Sequence, residues 1–194
     1  MISESLTFLS TEINKFLNQK LGQTTDPRLV LGNIAKAVDG DSASNPLNNR
    51  IILSLINIEE DKVSKVRENY TKTASNIIYK NPPILANLYI LIAANFSTYA
   101  DNLKMVAYIM QFFQSQNYFT PITHPALDAK ILQLNADLFT LNFEQINHVW
   151  STLGGKYLPS VMYKVRQVTL EDENAVETEG KWIEEIITKT TGIN

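Results

Sequence analysis

The chain contains no cysteine. That removes a disulfide framework, a thiol nucleophile and every thiolate-ligated metal site, and it suits a reducing compartment without requiring one. Histidine is scarce, with His124 in a proline-flanked turn and His148 on a predicted helix. Neither has a second histidine at the i, i+4 spacing of a helical metal site, so both read as surface or partly packed side chains, and no metal or other cofactor is expected. Basic residues are too few and too scattered for a nucleic-acid binder: 17 Lys and Arg stand against 20 Asp and Glu, a net charge of −3, with no basic run. The 8 Tyr and 8 Phe are not interleaved with Lys or Arg as an RNA-binding sheet requires.

No stretch reaches the 18 or so continuous apolar residues of a membrane helix, so no direct membrane insertion is expected. The first residues interleave Glu4, Glu12 and Lys15 with apolar positions, unlike the basic start and unbroken apolar core of a signal peptide, so synthesis and folding in the cytoplasm are expected. Catalytic patterns are missing as well. Gly154-Gly155 follows a helix and lacks the Lys and Ser or Thr of a phosphate loop. Ser10, Ser54 and Ser160 occupy no nucleophile elbow. Glu59-Glu60 ends a strand with its side chains pointing opposite ways, which makes a solubilising terminus rather than an acid–base pair. Asn57, Asn87 and His148 are the isolated polar residues on which an unfamiliar enzyme site would have to rest.

What the chain has is apolar patterning. With 194 residues, 44% hydrophobic and 19% charged, it suffices for one domain with a sizeable core, or a domain plus an arm. Leu6, Leu9, Ile13, Phe16 and Leu17 recur at helical spacing and Gly22 follows as a stop, which predicts a helix over residues 3–21. Residues 28–35 read as a short strand and 39–50 as a polar loop. The runs 51–58 (IILSLINI) and 84–94 (ILANLYILIAA) are apolar on both alternating faces, as interior strands are. Between them, residues 61–80 read as a loop with a short strand near its end. Residues 131–138 alternate, with Leu132, Leu134, Ala136 and Leu138 on one face, and 161–170 form another half-exposed strand. Asn142 and Gln145 make a capping box for a helix in which Phe143, Ile146, Trp150 and Leu153 share a face. The pattern predicts an α+β fold: a mixed, largely antiparallel sheet flanked by three helices at about 3–21, 98–116 and 142–153, with a C-terminal arm.

The helix at 98–116 carries more apolar surface than one side of a helix needs. Ser97 or Thr98 caps it, with Asp101 as a weak capping-box partner. Tyr99, Leu103, Val106, Met110 and Phe113 form one stripe, and Met105, Tyr108, Ile109 and Phe112 form a second beside it. Asp101, Asn102, Lys104, Gln111, Gln114 and Ser115 are left to face water. A surface helix needs one apolar stripe of somewhat over about 100°, so either a neighbouring element or a second subunit covers the excess. Residues 171–180 (EDENAVETEG) read as a solvated acidic linker, and Trp182, Ile183, Ile186 and Ile187 beyond it as anchors that dock on the same domain or on a partner. The domain expectation is accordingly one α+β unit over 1–170 and an acidic linker with an arm over 171–194. Met105, Tyr108, Ile109, Phe112, Trp182, Ile183, Ile186 and Ile187 are the candidate subunit or partner interface.

The order of these pieces has a further meaning. SLINIEE, then NPPILANLYILIAANFSTYADNLKMVAYIMQFFQSQNYFT, then a leucine-rich strand, then FEQINHVWSTLGGKYLPSVMYKVRQV resembles the tail-terminator or cap family of phage-tail-like contractile injection systems, of the antifeeding-prophage and virulence-cassette type. The resemblance covers roughly residues 2–170, and its most distinctive pieces lie at 57–60, 82–91, Phe112-Phe113-Gln114, and Trp150 followed by Tyr157, Ser160 and Tyr163. It implies a structural protein made in the bacterial cytoplasm that becomes part of an injection particle. It also implies a homo-oligomeric ring, hexameric in expectation, whose partners are itself and the inner-tube and sheath subunits. An adaptor of the same apparatus and, remotely, a small enzyme are the competing readings.

Overall fold

In the computed structural model the described residues are 1–38, 45–62, 70–72, 76–79, 83–154, 156–170 and 178–181. Among them, four helices and nine strands follow the order α1 (Ile2–Leu21), β1 (Leu29–Leu31), α2 (Ile34–Val38), β2 (Arg50–Glu60), β3 (Tyr70–Lys72), β4 (Asn76–Tyr79), β5 (Ile84–Asn95), α3 (Tyr99–Ser115), β6 (Tyr118–Phe119), β7 (Leu134–Leu138), α4 (Phe143–Thr152), β8 (Ser160–Leu170) and β9 (Thr178–Lys181). Six strands make one sheet in the order β1-β2-β5-β8-β7-β6, antiparallel throughout except for the parallel pair β1–β2. The fold is the predicted α+β class.

The two runs read as interior strands are β2 and β5. β5 lies between β2 and β8, which explains its apolar faces. Leu88, Ile90 and Ile92 join a core with Leu6, Leu9, Ile13 and Leu17 of α1 and Ile109, Phe112 and Phe113 of α3. Leu91 and Ala93, on the alternate side, join a second core with Ile34 and Ala37 of α2, Trp150 of α4, Ile52 and Met162. Helices thus cover both faces of the sheet. β8 is a third interior strand, for Met162, Tyr163 and Val165 are all buried, more than its alternating sequence suggests.

The ends of α1 show how local chemistry sets the layers. Gly22 takes a φ of 90° and its N–H closes on the Asn18 carbonyl at 3.0 Å, a backbone conformation that favours glycine. Asn14, midway along α1, reaches the outer edge of β1. Its Nδ2 donates to the Leu29 carbonyl at 2.8 Å, and its Oδ1 accepts from the Leu29 N–H at 2.9 Å. One side-chain amide thereby serves both backbone groups of an edge residue, as a neighbouring strand would.

Several expectations are corrected. The strand read over 28–35 ends at Leu31, and α2 begins at Ile34. The cause is Ser54, whose hydroxyl accepts from the Ile34 N–H at 3.0 Å and donates to the Gly32 carbonyl, turning the chain away from the sheet. The strand read over 131–138 starts only at Leu134. Leu132 precedes it and is exposed, and Leu138 is half-exposed, so the four-residue face reduces to Leu134 and Ala136. Phe143 does not share the covered face of α4. It is 93% exposed at the first position of the helix, although the predicted capping box of Asn142 and Gln145 is present. At the end of the acidic run read as linker and one residue beyond it, Thr178–Lys181 pairs antiparallel with β4, completing a three-stranded sheet in the order β3-β4-β9. That order repeats β2-β5-β8, the strands that immediately precede or follow each member in sequence.

Candidate assembly surface

α3 begins differently from its predicted cap. Thr98 stands at the N-cap position without a side-chain hydrogen bond. Asn102, expected to face water, is instead buried, and its amide clasps Phe96 in the turn between β5 and the helix. Its Oδ1 accepts from the Phe96 N–H at 2.7 Å and its Nδ2 donates to the Phe96 carbonyl at 3.1 Å. This clasp sets where β5 stops and α3 starts.

With α3 so placed, its two stripes separate. Ile109 and Phe112 of the second stripe are 1% and 5% exposed, and Met105 and Tyr108 pack half-buried against the same core. Phe112 meets Phe16 and Phe113 edge-on at 5.6 and 4.9 Å, and Phe113 lies 4.2 Å from the Tyr163 ring. Burial also pushes the Tyr163 phenol up to about 12. The chain's own core therefore covers Ile109 and Phe112, which are not free for a subunit contact. Trp182, Ile183, Ile186 and Ile187 lie outside the described residues.

The open stripe is the first one as far as Met110; its last member, Phe113, is buried in the core. Tyr99, Leu103 and Met110 are 64%, 50% and 42% exposed, with Val106 half-buried between them. Met110 continues the stripe into a hollow of about 220 Å³ that it lines with Leu138, Phe139, Trp150, Tyr157 and Val161. The hollow exists because β7 leaves β8 early. The Phe139 N–H donates to the Met162 carbonyl at 2.9 Å, after which the chain turns toward Asn142. Leu138 and Tyr157 are themselves half or more exposed, so one apolar surface runs from α3 onto the end of the sheet.

Polar side chains group elsewhere. Glu59 on β2 accepts from the Tyr89 hydroxyl at 2.6 Å and from Lys164 Nζ at 2.8 Å, and Lys164 sits 5.1 Å from the Tyr89 ring centroid. The Lys164 and Tyr89 hydrogen bonds hold the Glu59 carboxyl below its ordinary range, and hydrogen bonds with Glu59 and then Tyr89 raise Lys164. Asp137 on β7 pairs with Arg166 on β8. This is a row of mutually satisfied charges on strands, not an acid and base held apart. Asn57, Asn87 and His148 are not brought together: Asn87 is buried with its Oδ1 unpartnered, Asn57 is exposed on β2, and His148 lies on the rim of a cleft beside α4. Among the described residues no three His, Asp or Glu side chains form a metal-binding group, and no helix is long and apolar enough to cross a membrane.

The family model of the Pvc16 N-terminal domain matches residues 7–182. The chain belongs to the Pvc16 N-terminal domain family. Two solved structures share the fold. One is the sheath/tube terminator of PVC, an extracellular contractile injection system, in its extended state. It superposes with a TM-score of 0.54 at 14% identity, over 95% of this chain and 65% of that one. The other is the tube-terminating cap of the anti-feeding prophage, with a TM-score of 0.59 at 14% identity, over 94% of this chain and 60% of that one. The chain thus spans somewhat under two thirds of the length of each. The comparison with curated proteins finds no match. This Pvc16 N-terminal domain is accordingly similar in fold to terminator and cap proteins of contractile injection systems, the family its element order resembles.

Proposed function

We propose that the chain is a structural cap, which assembles as a homo-oligomeric ring, a hexamer, on the last layer of the inner tube and sheath and stops both from lengthening. The observation that carries this reading is the fold shared, over 94–95% of the chain, with two tube-terminating proteins. The physics is that of ring stacking. A tube grows by repeated head-to-tail contacts, and a ring that matches the last layer on one face and offers no matching face beyond it ends the stack. The role is stoichiometric and non-enzymatic.

The Tyr99–Leu103–Met110 stripe supports the reading, because it leaves apolar area on the helical face that a stacked neighbour would cover. Under the same reading, Trp182, Ile183, Ile186 and Ile187 anchor the C-terminal segment to a sheath or neighbouring subunit. Electron micrographs of particles made without this protein test the proposal: tubes and sheaths become overlong or ragged. Particles of normal length would assign the chain to an adaptor role instead.

A further inference from the structure

Two apolar features lie toward opposite edges of the six-stranded sheet. Beside the β1 edge, a cleft of about 590 Å³ opens between β2 and α4, lined by Gly32, Ser54, Leu55, Val149, Thr152 and Leu153. It offers little to a small polar ligand. The Ser54 hydroxyl is already engaged by the Ile34 N–H and the Gly32 carbonyl, and His148 stands exposed at the rim. A site for such a molecule would need free polar groups converging inside.

At the other edge, the connection from β6 to β7 carries Ile122, 92% exposed, and Leu132, 75% exposed. Ile122 stands in a stapled turn. Thr120 and Thr123 bond reciprocally, each backbone N–H donating to the other's hydroxyl oxygen at 3.3 Å, and the His124 N–H donates to the Thr120 carbonyl at 2.8 Å. Leu127 and Ile131 fix the rest of the connection in the core, and the His124 ring packs edge-on against Phe119 at 5.1 Å. A bulky apolar side chain held out on a pre-ordered turn loses little entropy on docking, which is how a contact anchor is built.

We propose that Ile122, with Leu132 from the same connection, seats in the β2–α4 cleft of a second copy of this chain. A protrusion and a receptor on opposite sides of one molecule form a heterologous contact, and such contacts close into a ring when the rotation per subunit permits. The inference rests on the cap reading and supplies its contact within the ring, leaving the Tyr99–Met110 stripe for the stack above or below.

The absence of cysteine makes the test clean, since every disulfide is then a designed one. The full-length variants Ile122→Cys and Thr152→Cys are mixed and oxidised, and each is also oxidised alone. Both positions are exposed, so the fold is preserved, and Leu132→Cys serves as a second probe on the protrusion. The expected result is a cross-linked dimer in the mixture, none in either variant alone, and a ladder of higher species from the double variant. A mixture no more cross-linked than its separate components, with either probe, overturns the contact. Particle length is read independently. Overlong particles on removal of the protein, together with failed cross-linking, leave the cap reading standing and discard this interface. Cross-linking with particles of unchanged length does the reverse.

Discussion

Asn102 commits its whole side chain to the two backbone groups of Phe96, at a depth where water cannot replace it. Removing a buried partner leaves the other groups unsatisfied, at about 1–3 kcal/mol. Asn102→Ala is therefore expected to lower unfolding free energy by about that amount in a denaturant titration, whereas Thr98→Ala, which removes no side-chain cap, should change it little. Glu59 makes a different kind of contribution. Its carboxyl is held below the ordinary 4.5 first by Lys164 and then by Tyr89, so the unfolded chain takes up the proton more readily. The stability it adds is complete above the ordinary value and is lost as pH falls through the lowered one. Lys164, raised above 10.5, keeps its share below that value and loses it as pH rises through the raised one. These groups are solvent-screened, and the gain is small. Thermal melts of Glu59→Gln against the parent should separate toward neutrality and converge as pH falls through the lowered range of the Glu59 carboxyl; parallel curves would mean the bridge contributes nothing.

At the scale of elements, α3 divides into a face that holds the fold and a face that does not. Phe113→Ala removes a ring packed on Phe112 and Tyr163, and cavity formation of that kind costs about 3–5 kcal/mol. Leu103→Asp alters a half-exposed position and should shift stability by no more than about 0.5 kcal/mol. Denaturant midpoints of the two variants check the division. The existence of this helix, like that of α1, α4, β2 and β5, was legible because each is long and its apolar period matches its geometry. Which stripe of α3 would be covered was not legible, because much of the cover comes from Phe16 and Tyr163, far away in the chain. Asn14, Ser54 and Asn102 were equally silent. Each is an ordinary polar residue whose role depends on a backbone group brought beside it, by tertiary packing for Asn14 and Ser54 and by the turn into α3 for Asn102, and no spacing rule signals that. The short elements α2 and β6 span too few residues to carry a period at all.

For the whole molecule, the cap reading turns the exposed stripe of α3 into a matter of assembly rather than of folding. Leu103→Asp, stable as a chain, is then expected to fail in restoring normal particle length where the parent protein succeeds, as counted on micrographs; full restoration would remove the stripe from the assembly. The clamp of Asn14 on Leu29 bears on the same question from another side. A sheet that is to continue from one copy into the next needs two receptive borders, one to give and one to receive. Here one border is already answered at Leu29 by an amide from the chain's own first helix. Strand pairing at the opposite border thus leads to at most one added partner and no fibre, and copies held close together at high local concentration are steered toward side-chain contacts of finite extent.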